Sequence, residues 1–288
     1  MNGKTATGDT IRLSRIKRSI LMLSDIHAGS YFSVWPRDEI ITGEGNNLSA
    51  SINDGQRLLQ KHWYEELIPT AKKFKVDMVL NAADAVDGTN RKESGGRTVT
   101  PDLDYQKKAA VALLKPLVKG REYHGVSGSP YHESWDTKIH KQIVEDLQPH
   151  AKKSMYHGML LVGKIKGTNK HINFAHAATS AMIYSATVLD RERIFLKAAE
   201  GMGKLDYSTD YFVRGHLHHY FHLDYPDMHI VQLPCWKSHY SFGGKVRLYG
   251  KHQPDIGATI LLIDKDDRTF MLHFLYPSPK ISDFVKEI

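Results

Sequence analysis

The 288-residue sequence contains one cysteine, Cys235, which excludes an internal disulfide and any zinc cluster built on paired thiolates. Any bound metal must be held by His, Asp and Glu. Long apolar runs are missing too. The most continuous ones, 20–23 and 260–263, fall far short of the roughly 18 residues that span a bilayer, and the opening MNGKTATGD has no apolar signal core. A cytoplasmic protein with no membrane contact is expected. No Pro/Gly/Ser-rich linker, internal repeat or low-complexity tract interrupts the chain, so 1–288 is expected to form one domain, led by a polar arm over 1–17. A hydrophobic fraction of 41% and a charged fraction of 25% exclude collagen-like and intrinsically disordered classes.

What is present leans basic and rich in histidine. Lys and Arg number 39 against 32 for Asp and Glu, a formal charge of +7 that modestly favours polyanionic partners. The 17 histidines are more telling, because neutral imidazole is both a common ligand of transition metals and a frequent general acid.

The first half of the chain alternates between strand and helix patterns. SILMLS over 19–24 is a short continuous apolar run that suits a strand buried on both faces. Leu59, Trp63, Leu67, Ala71 and Phe74 recur at helical spacing before the strand-like VDMVL, and Tyr105, Ala109, Leu113 and Leu117 do so before REYHGV. Such alternation predicts an α/β fold with parallel strands. Beyond a helix over 137–147, strands dominate: 159–162, 172–175, 211–214, 229–233, 258–263 and 269–275, with one further helix over 191–200. Two packed mixed sheets flanked by helices are therefore expected. The stretches 28–51 and 88–102 read as long irregular loops, a length usually kept for functional segments.

The chemistry-bearing residues cluster where strands end. The first apolar run gives way to SDIHAG with Asp25 and His27; VDMVL leads into NAADAVDG with Asp84 and Asp87. The third strand leads into GVSGSPYHES with His132 and Glu133; HINFAH ends on His176, and YFVRGHLH on His216 and His218. Each group alone has an ordinary explanation as a turn or cap. Together they bring Asp and His to the C-terminal ends of separate strands, where open α/β sheets hold their ligands. Oxygen and imidazole donors without thiolate suit two adjacent divalent ions, manganese first, with iron, zinc, nickel or cobalt as alternatives.

The ordered series DIH, ADAVD, GSPYHE, FAH and GHLH resembles the motifs of the calcineurin-like metallophosphoesterase superfamily, over about two thirds of the chain. Its spacing and irregular third motif look most like bacteriophage-encoded members. The resemblance implies an αββα sandwich acting as a phosphoesterase with a hydroxide between two metals as nucleophile. It implies that Asp25, His27 and His218 bind one ion, that Asp84 bridges, and that His176 and His216 bind the second. It further implies that His132 protonates the leaving oxygen, with Asp87 orienting its imidazole.

The sequence departs from the family pattern at three places. Ala83 replaces a glycine, which strains the turn if φ is positive there. Ser129 stands near the family's metal-binding Asn, with Pro130 and Tyr131 before His132, so Ser129 is a candidate ligand. Gly88 occupies the place of the phosphate-gripping Arg of Ser/Thr protein phosphatases, which disfavours that subfamily. In the two long loops, Trp35 and Arg37 and then Arg91, Lys92 and Arg97 are candidates to contact a substrate, with Tyr31 and Phe32 beside the first pair. A phosphodiester, as nucleic acid or nucleotide, is the expected substrate. Alternatives are a phosphomonoesterase or protein phosphatase on the same site, or a non-catalytic member that binds nucleic acid or a partner. The oligomeric state is left open.

Overall fold

The computed structural model describes residues 2–4, 10–38, 40–41, 47–48, 51–89, 97–133, 138–176, 185–239 and 253–280. Eleven strands build two sheets. They are β1 (Ile16–Leu23), β2 (Met78–Asn81), β3 (Glu122–Gly125), β4 (Lys153–Tyr156), β5 (Leu160–Lys164), β6 (His171–Ala175), β7 (Tyr211–Arg214), β8 (Phe221–Tyr225), β9 (Met228–Gln232), β10 (Ile256–Asp264) and β11 (Thr269–Tyr276). The six-stranded sheet runs β11-β10-β1-β2-β3-β4, with β1 through β4 parallel and β10 antiparallel to both its neighbours. The five-stranded sheet runs β8-β9-β7-β6-β5, its three central strands parallel and its two edges antiparallel. Two short two-stranded pairs, Asn2–Lys4 with Thr10–Arg12 and Ile40–Ile41 with Asn47–Leu48, lie outside these sheets.

Strand periodicity explains the layering. In β1, Ile20 and Met22 pack between the sheets with Phe174, Val213 and Val231, whereas Leu21 and Leu23 face the helices. A central parallel strand needs apolar residues on both faces, hence the unbroken run. Helix α1 spans Asp54–Lys61, a π-helical segment His62–Leu67 and Ile68–Lys73; α2 is Leu103–Val118, α3 Pro130–Glu133, α4 Ile139–Asp146 and α5 Ser185–Gly201. Residues of α1, α2 and α4 cover the outer face of the six-stranded sheet, and Val188 and Leu189 of α5 cover the other with Phe212 and Ile230. The result is the expected sandwich of two mixed sheets flanked by helices. Helix α1 starts at a capping box, in which Asn53 accepts from the Gln56 backbone N–H and Gln56 accepts from that of Asn53.

Two strands lie outside the sequence-based assignment, β4 and β8, and both are sheet edges. Edge strands are half solvated, so KSMY and FHLDY carry little continuous apolar signal. No described helix is long and apolar enough to cross a membrane.

Candidate metal centre

The segments after β1, β2, β3, β6, β7 and β9 meet along one rim of the sandwich. They continue the pairing of the strands: Asp25, His27 and Ala28 donate backbone hydrogen bonds to Ala83, Asp84 and Ala85 at 2.8–2.9 Å, and Trp236 donates to Asp25 at 2.9 Å. Positive φ concentrates here, at Asp25 (53°), His27 (50°), Ala83 (66°), Asp84 (44°), His216 (77°) and His218 (59°). A non-glycine residue held left-handed costs of order 1–3 kcal/mol, so the surrounding contacts must over-determine this rim. Ala83 thus takes the conformation for which glycine was expected. Two glycines are required by contact: a Cβ on Gly128 would strike the Asp84 carboxylate, and one on Gly215 would strike the Ser24 hydroxyl.

Two triads of donor atoms converge. In the first, His218 Nε2 lies 3.1 Å from both Asp25 Oδ1 and His27 Nε2, with His27 Nε2 3.5 Å from Asp25 Oδ1. In the second, His176 Nε2 lies 3.0 Å from Asp84 Oδ2 and 3.2 Å from His216 Nδ1. Tetrahedral ligation with metal–nitrogen bonds of about 2.0–2.1 Å separates neighbouring donors by about 3.3–3.4 Å, so each triad fits one divalent ion. A proton bridges only two of three such atoms, whereas a cation engages all three. His27, Asp84 and His132 also place ligand atoms within 4.8 Å of one another, which links the triads through Asp84.

The carboxylates are braced and ionised. Asp25 accepts from the Ser24 hydroxyl and, at 2.8 Å, from the His216 backbone N–H. Asp84 accepts from the Ser129 N–H at 2.6 Å and from its hydroxyl at 2.9 Å, so Ser129 donates to the carboxylate that links the triads. Burial alone would raise all three acids. The His218 and His176 imidazoles hold Asp25 well below the usual carboxylate range, and His176 and His132 do the same for Asp84. Lys237 and His27 hold Asp87 low against the same burial.

The imidazoles divide. Burial pushes His176 down, but Asp84 and Asp25 outweigh it and raise it to about 10; His27 is likewise raised, burial and Lys237 being outweighed by Asp25 and Asp87. Burial lowers His218 to about 4 despite Asp25, and burial with the His176 charge lowers His216. Each triad therefore pairs one imidazole raised above its ordinary value with one lowered below it.

His132 stands at the first turn of the site's lip, its ring 4.4 Å from that of His27. Its Nδ1 donates at 2.6 Å to the backbone carbonyl of Asp87, and the Asp87 carboxylate is 3.9 Å away. The carboxylate is engaged elsewhere, with Oδ1 2.5 Å from Lys237 Nζ and 3.2 Å from His27 Nδ1. Orientation of the His132 ring thus runs through the main chain, and it places a ring nitrogen within 4.8 Å of ligand atoms of His27 and Asp84. Burial and the His27 charge push His132 down to about 3.

Sequence reasoning missed the scaffold behind Asp84. Asn81 Oδ1 accepts from the Ala83 N–H at 3.0 Å while its amide donates to Tyr123 Oη at 3.1 Å; Tyr123 pairs with His140 Nε2 at 3.2 Å, and His140 Nδ1 with Glu133 Oε1 at 3.2 Å. Glu133, 4% exposed, closes the ring by accepting from the N–H groups of Ala85 at 3.0 Å and Gly128 at 2.8 Å. Both peptide groups flanking Asp84 are tied. Glu133 adjoins His132 in sequence, a signal of sorts, but nothing in QLPCWKSH marks Lys237 as a buried cation.

The proposed substrate contacts are placed differently. Trp35 is 3% exposed and packs in the core, because its segment pairs back onto the chain beyond β9, Val34 donating to the Trp236 carbonyl at 3.2 Å; it has no free face for a base. Arg37 turns to α1, pairing with Glu65 at 2.6 Å and lying over the Tyr64 ring. Phe32 is buried, with the Arg97 guanidinium 5.9 Å from its ring centroid. Arg91 and Lys92 lie outside the described residues. Instead, a cavity of about 390 Å³ opens beside Ser129, lined also by Lys138, Lys141, Tyr156 and Met159.

No family model and no curated protein matches the sequence. Among solved structures, the chain is similar to an archaeal phosphodiesterase, at 10% identity over 89% of this chain and 99% of that one, with a TM-score of 0.45. It is also similar to Vps29 from Entamoeba histolytica complexed with Zn²⁺ (14% identity, 89% and 98% covered, TM-score 0.39). A predicted phosphoesterase from Streptococcus pneumoniae is another such neighbour (11% identity, 90% and 98% covered, TM-score 0.32). The functional reading rests on the rim residues themselves.

Proposed function

We propose that the protein is a metal-dependent phosphoesterase of the calcineurin-like type that hydrolyses phosphodiesters, using two divalent cations held between the sheets. The observation that carries this reading is the pair of donor triads, Asp25/His27/His218 and Asp84/His176/His216, joined at Asp84 with His132 on their lip. When bound, two such cations supply Lewis-acid stabilisation of phosphoryl oxygens and lower the pKa of a water molecule. Asp84, with both flanking peptides tied and two donors from Ser129, fixes the point that the two sites share. His132, with Nδ1–H committed to a carbonyl, would act through Nε2, taking up a proton there as the anionic substrate binds and giving it to the leaving oxygen. Lys237 offsets the charge of Asp87 behind His27, which holds the His27 ring with Nε2 toward the first triad.

Manganese is the first choice of ion, and nucleic acid or a nucleotide the favoured substrate. The two lysines and Tyr156 of the cavity beside Ser129 support a polyanion with an aromatic-stacking group, as does the basic balance of the chain. The discriminating experiment is metal-dependent hydrolysis of a panel containing single-stranded DNA, duplex DNA, cyclic nucleotides and phosphomonoesters. Turnover confined to monoesters would move the reading to a phosphatase. No turnover with both sites loaded would leave a binding protein.

A further inference from the structure

A second group of metal-ligating side chains lies away from the rim, on the hairpin β8–β9. Phe221, Leu223 and Tyr225 of β8, and Met228 and Ile230 of β9, face α5. Period-two alternation therefore turns His222, Asp224 and His229 to the other face, and the register sets Asp224 directly opposite His229. His222 is two residues from Asp224 and so lies beside the pair on the same face. His229 Nδ1 is 3.0 Å from Asp224 Oδ1 and 3.2 Å from His222 Nε2, and the three ligand atoms lie within 4.8 Å of one another.

Protons do not satisfy this arrangement. With a hydrogen on Nδ1, His229 donates to Asp224 and has no lone pair there for His222; without one, its lone pair faces a carboxylate oxygen at 3.0 Å. A second proton, on His222 as well, sets two cationic imidazoles at contact distance, and burial lowers both rings from their ordinary values. The His229 ring is stacked at 5.6 Å on Tyr211, a fully buried core residue, so it is held in place rather than free to turn away. Nearby Asp210 is already paired with Lys170 at 2.8 Å.

We propose that His222, Asp224 and His229 form a third divalent-cation site, for a borderline transition ion such as Zn²⁺, which clips the edge strand β8 to β9. Two imidazoles and one carboxylate suit that class of ion better than Mg²⁺ or Ca²⁺, which prefer oxygen shells. The observed separations match the spacing of donors around one such ion. Because β8 has, among the described residues, one hydrogen-bonded neighbour strand, a cross-strand clip acts where the sheet is least constrained.

The test is equilibrium dialysis of the full chain against excess Zn²⁺ followed by elemental analysis, comparing wild type with His222→Ala/His229→Ala. The double variant should hold one zinc fewer, with an unchanged circular dichroism spectrum; an equal zinc count overturns the site. Asp224→Asn guards against a folding artefact, since this side chain is 67% exposed. It should weaken zinc at this position roughly tenfold or more, by the scale on which removal of groups around a metal acts. Unaltered zinc affinity in that variant likewise overturns the proposal.

Discussion

The two sheets bring different chemistry to the shared rim. The six-stranded sheet delivers every carboxylate, Asp25, Asp84 and Asp87, each ionised and braced by hydrogen bonds or by Lys237. Among the described residues, the five-stranded sheet contributes imidazoles to the triads, His176, His216 and His218. Neither rim holds a complete triad. The first draws Asp25 and His27 from one sheet and His218 from the other; the second draws Asp84 from one and His176 with His216 from the other. Metal binding at these triads would therefore be coupled to correct docking of the sheets, with the acidic rim facing protonatable rings.

This division predicts a graded series of effects. Asp84→Asn strikes the point where the triads join and should cost the most, on the order of 10³-fold or more in turnover, corresponding to several kcal/mol of lost charge stabilisation. Steady-state kinetics with metal analysis would show both sites weakened. Normal turnover with two ions bound would break the assignment. His132→Ala should lower turnover by roughly 10²–10⁴-fold while both ions stay, and less for a substrate whose leaving group needs no proton. Ion loss in step with activity would make His132 a ligand.

Lys237→Met probes what stands behind the acidic rim. It leaves Asp87 buried without its cation, so stability should fall by about 3–5 kcal/mol in denaturant unfolding. An unchanged midpoint would mean that His27 alone suffices. Glu133→Gln should cost less, about 1–3 kcal/mol, by leaving one N–H beside Asp84 unsatisfied.

The buried imidazoles of both sheets set the pH dependence of the metal-free protein. His176 is raised from 6.5 to about 10, so its contribution is complete below 6.5 and lost as pH rises through about 10. His132 and His218, lowered from 6.5 to about 3 and about 4, contribute above 6.5 and lose that contribution as pH falls toward those values. Thermal melts should thus peak between these limits. Ion uptake should release protons from the raised ring of each triad, visible by calorimetry in buffers of differing ionisation enthalpy. The smallest effect is expected from Lys138→Ala/Lys141→Ala, which should reduce the salt slope of DNA binding by about 0.7–0.9 per lost phosphate contact and leave a small chromogenic diester unaffected.

How much of this was legible in the sequence follows the same physics. Central strands such as β1 are buried on both faces, and helices such as α2 on one, so their apolar patterns locate them within a few residues. The half-solvated edges β4 and β8 carry no such pattern. The rim residues were readable because Asp and His recur at the ends of recognisable strands. The ring through Asn81, Tyr123, His140 and Glu133 was not, because its members come from four separate elements, β2, β3, α4 and α3, and only tertiary contact unites them. Trp35 misled for a related reason: an aromatic in a long loop reads as exposed until the loop is seen folding back onto the core.

The claim that two cations lie between a carboxylate rim and an imidazole rim is tested most directly by an anomalous-scattering map of crystals grown with saturating Mn²⁺. Two peaks are predicted on the rim, one against Asp25 Oδ1, His27 Nε2 and His218 Nε2, the other against Asp84 Oδ2, His176 Nε2 and His216 Nδ1. A map with these side chains ordered and no peak, or a single peak, between the rims would contradict the account.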